Sequence, residues 1–365
     1  MVKYIFLIVL FNLAYQKADV YFSKQITSSR IVDLYKKLNV NLKGNIGLKV
    51  HTGEANGPYY LRPEFLKEIY QYTNGTFIEA NTAYDGTRYT TEKHKETLKI
   101  NGWLDNGFRT VIMDEDPTKD VVFNLTNAEQ ISENYVGMHI HDYDSILVLS
   151  HFKGHSWGGF GGALKQLSIG FASKAGKLWI HTGGRSFDSW DIAKNTSQKN
   201  FTSAMGDAAT TVVNYFQKKG GVAFINTVAN ISIKCDCAGA GAPEPQIKDI
   251  GILASTDPVA LDKACIDLIR KTNDNGTKDW LGQLERKLGE NTIVVAEKHG
   301  IGTQEYNLIN IDDDNKKLIF SIVTYVACFV SFLIALGIFI FIKMSKKDSE
   351  TCVEENLNGL GQDYE

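Results

Sequence analysis

The densest run of side chains able to do chemistry lies between His151 and His181. It reads His151-Phe-Lys153-Gly-His155, then Gly158-Gly159-Phe-Gly161-Gly162-Ala-Leu-Lys165, with Lys177 and His181 further on. Imidazoles and ammonium groups clustered in this way can serve as proton shuttles, metal ligands or anion clamps. Glycines at 158, 159, 161 and 162 would let the backbone come close to a ligand and expose N–H donors to it. The run is neither a Walker loop nor a G-x-G-x-x-G fingerprint. On residue types alone, a solvated loop with incidental basic residues explains it as well as a built site does.

Cys235-Asp-Cys237 is a second feature. Alternate residues of an extended segment face the same way, so both thiols suit metal binding better than a mutual disulfide; two small buried residues are the alternative reading. Cys265, between Ala264 and Ile266, is expected in the core. Cys235, Cys237 and Cys265 make no disulfide framework. The segments Glu79-Ala-Asn81-Thr-Ala-Tyr84 and His51-Thr-Gly-Glu54 either line a cleft or bond their own turns, the second being slightly favoured. His139-Ile-His141, followed by Asp142 and Asp144, reads as a wet loop.

The elements that must hold these groups alternate along the chain. Strands are expected at 20–23, 46–51, 76–80, 111–113, 145–150 and 222–228, and helices at 31–38, 62–70, 91–102, 204–217 and 258–271. That alternation predicts an α/β fold, a mostly parallel or mixed sheet with helices on both faces. Ligands of such sheets sit beyond the carboxyl ends of strands, here at the turns 51–57, 80–86 and 151–162.

The chain has 365 residues, 43% of them hydrophobic and 22% charged, enough to bury a large core. Its net charge is -3. Three lysines and six acids from Lys343 onward carry that whole deficit, so the remainder is balanced and no nucleic-acid partner is implied. Residues 1–14, with Lys3 before an apolar stretch, predict a signal peptide ending near residue 18. Residues 318–342 hold no charge and are followed by Lys343, Lys346 and Lys347. They predict a transmembrane helix contacting the bilayer, an extracellular or lumenal α/β domain at 19–310, a cytoplasmic tail at 343–365, and a single-pass type I placement. Six Asn-x-Ser/Thr sequons, at Asn74, Asn124, Asn195, Asn200, Asn230 and Asn275, are compatible with glycosylation.

Several of these motifs together resemble the prokaryotic proteins grouped as domain of unknown function family 362. They are the segment 149–155, the segment 158–165, Ser168-Ile-Gly170, Gly176-Lys177, Cys235-Asp-Cys237 and the segment from Asp249 to Asp262. Val20-Tyr-Phe-Ser, the turn from Lys49 to Glu54 and Glu79 to Tyr84 extend the likeness, which covers about Val20 to Tyr306. Many members carry an inserted ferredoxin-like module. This chain has no Cys-x-x-Cys-x-x-Cys run, so ferredoxin-type iron–sulfur chemistry is unsupported. A more distant resemblance is to the N-terminal domain of lactate racemase, where a histidine, a lysine and a further histidine surround a nickel–pincer nucleotide. His155, Lys165 and His181 fall in that order, 10 and 16 residues apart. The resemblance implies Lys165 as a covalent anchor, His155 as a proton-transfer or stacking group and His181 as a metal ligand.

The sequence therefore supports a membrane-anchored, enzyme-like domain. It would bind a metal or an anionic cofactor at the His155/Lys165/His181 turn, with Lys153, Lys177 and the four glycines on the cofactor and Cys235 and Cys237 near the metal. The alternative is a binding module that kept the fold and lost the chemistry. A small-molecule ligand fits either reading.

Overall fold

The computed structural model describes residues 17–105, 107–234, 236–313, 324–334 and 336–340. One compact unit ends at Ile311 and a second begins at Asp312. The strands of the first unit are β1 (Ala18–Ser23), β2 (Ile46–Lys49), β3 (Thr76–Glu79), β4 (Thr110–Ile112), β5 (Val121–Asn124), β6 (Glu133–Val136), β7 (Ser145–His151), β8 (Lys153–His155), β9 (Gly159–Gly161), β10 (Val222–Val228), β11 (Gly251–Ser255) and β12 (Tyr306–Asn310). Eight of them form one mixed sheet in the order β12-β1-β11-β10-β7-β2-β3-β4. The pairs β5–β6 and β8–β9 are small and antiparallel.

The run β10-β7-β2-β3-β4 is parallel throughout. Its central strands, β7 and β10, are buried at every residue, which is why both read as unbroken apolar runs. Successive side chains on β7 still go to opposite faces. Ile146 and Val148 join Val212, Phe216 and Leu261 in one apolar cluster, whereas Leu147 and Leu149 join Ile31, Leu34 and Leu98 in another. Helices Gln198–Gln217 and Pro258–Arg270 thus cover one face, and helices Ser28–Lys37 and Thr91–Ile100 the other. This is the expected α/β architecture. Short polar caps start its helices: Thr27, Thr90 and Asp257 accept the backbone N–H of Arg30, Lys93 and Ala260.

Strand β11 is antiparallel to both β10 and β1. Among the described residues, the return from β10 to β11 holds the short 3-10 helix Asp236–Gly241 and no α-helix of the kind that usually makes a parallel crossover. Strands β11 and β12 and helices Lys174–His181, Thr277–Arg286 and Gly289–Lys298 add to the elements expected from sequence.

The expected single-pass membrane protein, with its extracellular or lumenal placement, is corrected. Among the described residues, no helix is long and apolar enough to cross a membrane. Of the apolar run at 318–342, the described helical parts are 324–334 and 336–340, each well short of the ~20 residues that a hydrocarbon core requires. The proposed tail at 343–365 lies outside the described residues, as does the signal segment up to residue 16; Ala18 already opens β1.

Candidate ligand site

The carboxyl ends of β2, β3 and β7 deliver His51, Glu79 and His151 to one cavity of about 650 Å³. The chain then folds back over it. In β8, Lys153 and His155 alternate with Gly154, whose absent Cβ would lie 2.0 Å from the Ile233 carbonyl oxygen, so glycine is required there. After β9 a short helical turn, Ala163–Lys165, brings in Lys165. Helix Lys174–His181 presents Lys177 and His181 one turn apart on the same face. Lys153, His155, Gly161, Gly162, Lys165, Lys177 and His181 all line this cavity, together with Arg88, Trp157 and Trp190.

Gly158 and Gly159 are elsewhere. A Cβ on Gly159, whose φ is +79°, would approach Gly289 Cα to 2.9 Å, so this glycine lets the hairpin seat against the helix Gly289–Lys298. Gly159→Ala should therefore cost about 2–4 kcal/mol, combining left-handed strain with overpacking. Urea midpoints would show this, with anion affinity per folded molecule unchanged. A fall in affinity at full stability would return Gly159 to a ligand role.

Beneath the cavity lies a buried ionic layer. Glu79 accepts from Lys49 Nζ at 2.7 Å and from Arg88 at 3.4 Å, and takes the Thr52 and Ala80 N–H groups as well. Burial opposes this carboxylate, but the Lys49 and Arg88 cations outweigh it and hold Glu79 down at about 2. Lys49 is pushed down by burial, yet Val50 O, Glu79 and Gln166 Oε1 surround its Nζ at 2.6, 2.7 and 2.8 Å, so it stays an ammonium. Arg88 also pairs with Glu54 at 3.0 Å, and Tyr84 and Thr87 complete that carboxylate's shell. The segments 51–54 and 79–84 thus line the cleft and bond their turns at once.

The remaining cations have less compensation. Lys165 reaches the cavity, but protein around its amine lowers it to about 8; Lys177 is lowered to about 8 for the same reason. Lys153 is pushed down by burial and by Lys165 nearby. Burial likewise lowers His155 and takes His181 down to about 4, so both rings are neutral.

Hydrogen bonds assign their tautomers. His155 Nδ1 accepts the Gly158 N–H at 3.0 Å, which leaves the ring hydrogen on Nε2. His181 Nδ1 lies 2.6 Å from the Lys177 carbonyl oxygen and must donate, which leaves the lone pair on Nε2. The His181 ring stacks on Phe201 and meets Trp157 and Trp190 edge to face. One neutral donor and one neutral acceptor therefore belong to the same cavity.

Metal-ligand candidates fare differently. Among the described residues, no group of three or more His, Cys, Asp or Glu is placed to hold a metal ion. Cys235 lies outside the described residues, and Cys237 belongs to the 3-10 helix Asp236–Gly241. Cys265 is buried, as expected. His139 and His141 sit away from the cavity on the 3-10 helix Met138–Asp142, where His139 bonds Asp142 and Glu115. The six sequon asparagines are all exposed.

Comparison with known proteins places the chain. A family model described as domain of unknown function (DUF362) matches residues 46–267, more than half of the sequence. The chain belongs to the DUF362 family. The matched stretch contains every one of the cavity's His and Lys residues named above. No curated protein matches this DUF362 member. Among solved structures, the lactate racemase apoprotein from Thermoanaerobacterium thermosaccharolyticum is a distant match, at TM-score 0.41 and 14% identity. That alignment covers 68% of this chain and 56% of the other. A structural-genomics protein from Thermotoga maritima aligns at TM-score 0.36 and 15% identity, over 78% of this chain and 61% of that one. The chain thus spans little more than half the length of either, and likenesses this slight carry no argument about chemistry.

Arg88, Trp157 and Trp190 are site residues that the sequence reading did not assign. A signal for Arg88 exists in retrospect: Glu54 and Glu79 end up buried at strand ends, and such carboxylates demand a cation.

Proposed function

We propose that this DUF362 domain binds a small anionic ligand in the cavity and holds it between Lys165, the His155 Nε2–H donor and the His181 Nε2 acceptor. The observation that carries the reading is the charge balance of the lining. Arg88, Lys153, Lys165 and Lys177 face the cavity, while the buried carboxylate there, Glu79, is already engaged by Lys49 and Arg88. A carboxylate or phosphate supplies the missing negative charge, and buried charge-assisted bonds to it are the strong kind. The Trp157 and Trp190 rings offer an apolar wall beside it. The donor set fits an anion better than a metal: His155 Nε2 carries a hydrogen, and among the described residues His181 finds no two further ligands.

Calorimetry with inorganic phosphate and pyrophosphate tests this. Binding should weaken with salt, and Lys153→Met or Lys177→Met should each lower affinity by roughly 30-fold or more, about 2 kcal/mol, the cost of losing one partner of a buried pair. Affinity should also rise as pH falls through about 8, where Lys165 and Lys177 gain their protons. Absence of binding, or affinity indifferent to both substitutions, would refute the assignment.

A further inference from the structure

We propose that the Lys165 amine forms an imine with a small keto or aldehyde acid held in this cavity; the step rests on the cavity being an anion site. The buried lysines differ in how their amines are engaged. Lys49 Nζ is taken up by Val50 O, Glu79 and Gln166, and Lys177 Nζ by the Ala172 carbonyl. Lys165 Nζ makes no hydrogen bond or ion pair among the described residues, and it lines the cavity. Its turn is fixed from two sides. Asp262 accepts the Ala163 and Leu164 N–H groups at 2.8 and 2.9 Å, and the next residue, Gln166, is held by Lys49.

A poorly solvated amine beside other cations loses its proton easily, the condition a nucleophilic lysine requires. Lys165 meets it: burial is the main cause of its lowered basicity, Glu79 opposes the shift, and Arg88, Lys177 and Lys49 add to it. The flanking histidines then have separate tasks. The neutral His155 Nε2–H hydrogen-bonds the carbonyl oxygen and draws electrons from its carbon, while His181 Nε2 relays the proton.

The step balances. The lone pair of the Lys165 amine forms a C–N bond as the C=O π bond opens onto oxygen. A nitrogen-bound proton passes through His181 to that oxygen, giving a carbinolamine. The second nitrogen-bound proton and the hydroxyl then leave as water, and the C=N bond forms. Nothing is oxidised or reduced. The acid group of the ligand meets Lys153, Lys177 or Arg88, which is why the substrate class is a carbonyl compound carrying a carboxylate.

The experiment uses the full chain with pyruvate as probe and sodium borohydride to reduce any imine to a stable secondary amine. Intact mass and peptide mapping locate the product. Near pH 8 about half of the Lys165 amines are unprotonated, against well under a hundredth for an exposed lysine, so labelling of Lys165 should exceed that of surface lysines by on the order of a hundredfold. Acetone, which lacks the carboxylate, should label Lys165 weakly. Lys165→Arg should abolish the adduct. The wild-type labelling pattern is decisive by itself: phosphate binding with no preferential adduct at Lys165 overturns the imine alone, whereas loss of both overturns the anion site beneath it.

Discussion

Glu79→Gln should cost about 3–5 kcal/mol of stability, the range for breaking a buried ion pair from one side. Glu79 holds two buried cations, Lys49 at 2.7 Å and Arg88 at 3.4 Å. Glutamine preserves its shape and one acceptor but leaves both cations short of a counter-charge. Arg88 retains Glu54; Lys49 retains only uncharged acceptors. The sign of the pH dependence follows. The folded carboxylate titrates at about 2, below its unfolded value near 4.5, so its contribution is complete above 4.5 and disappears as pH falls toward 2. Guanidinium unfolding of wild type and variant should therefore give a wide gap at pH 7 that closes in acid. A gap that stays constant from pH 7 to 3 would mean that the ionic layer contributes nothing as an ion pair. The same substitution leaves the cavity more positive, so phosphate affinity of the folded variant should not fall.

How much of this site was legible depended on whether function and local pattern coincide. The segment from His151 to His181 stands out because a glycine-dense stretch follows the apolar run of β7, and glycine density marks close approach; His155, Lys165 and His181 are singled out within it by the resemblance to lactate racemase. The glycines nevertheless divide into two kinds that spacing cannot separate. Gly161 and Gly162 line the cavity, while Gly159 makes room for the helix Gly289–Lys298, more than 100 residues away in sequence. Helix Lys174–His181 is only eight residues long, and two of its buried positions are the site residues Lys177 and His181, while Gly176 packs against Tyr135 O. The ionic layer was hidden for a related reason. Lys49 and Glu79 sit at the ends of strands whose other residues are mostly apolar, and only the parallel register of β2 with β3 makes them neighbours. The order β2-β7-β10 agrees with the alternation of strands and helices, but the reversal at β11 depends on a connection that no local propensity announces.

Asp262→Ala should be as damaging as Glu79→Gln, with the opposite response to pH. Asp262 lies on helix Pro258–Arg270, is wholly buried, and accepts Ala163 N–H, Leu164 N–H and the Asn226 side chain at 2.8, 2.9 and 2.7 Å. Alanine strands three buried donors at about 1–3 kcal/mol each, partly relieved by relaxation, so a total near 3–5 kcal/mol is expected. Burial outweighs those donors and raises the carboxyl to about 6, above its unfolded value of 3.8. A raised group stabilises fully below the unfolded value, and that contribution is lost as pH rises through about 6. The deficit of Asp262→Ala against wild type should therefore be larger at pH 4 than at pH 7.5, where wild type already bears the cost of a buried charge. Because Asp262 fixes the turn that carries Lys165 without touching the cavity, the folded variant should bind phosphate through its other cations and lose the selectivity of pyruvate–borohydride labelling for Lys165. Retention of selective labelling in folded Asp262→Ala would show that the Lys165 turn holds its place without this anchor.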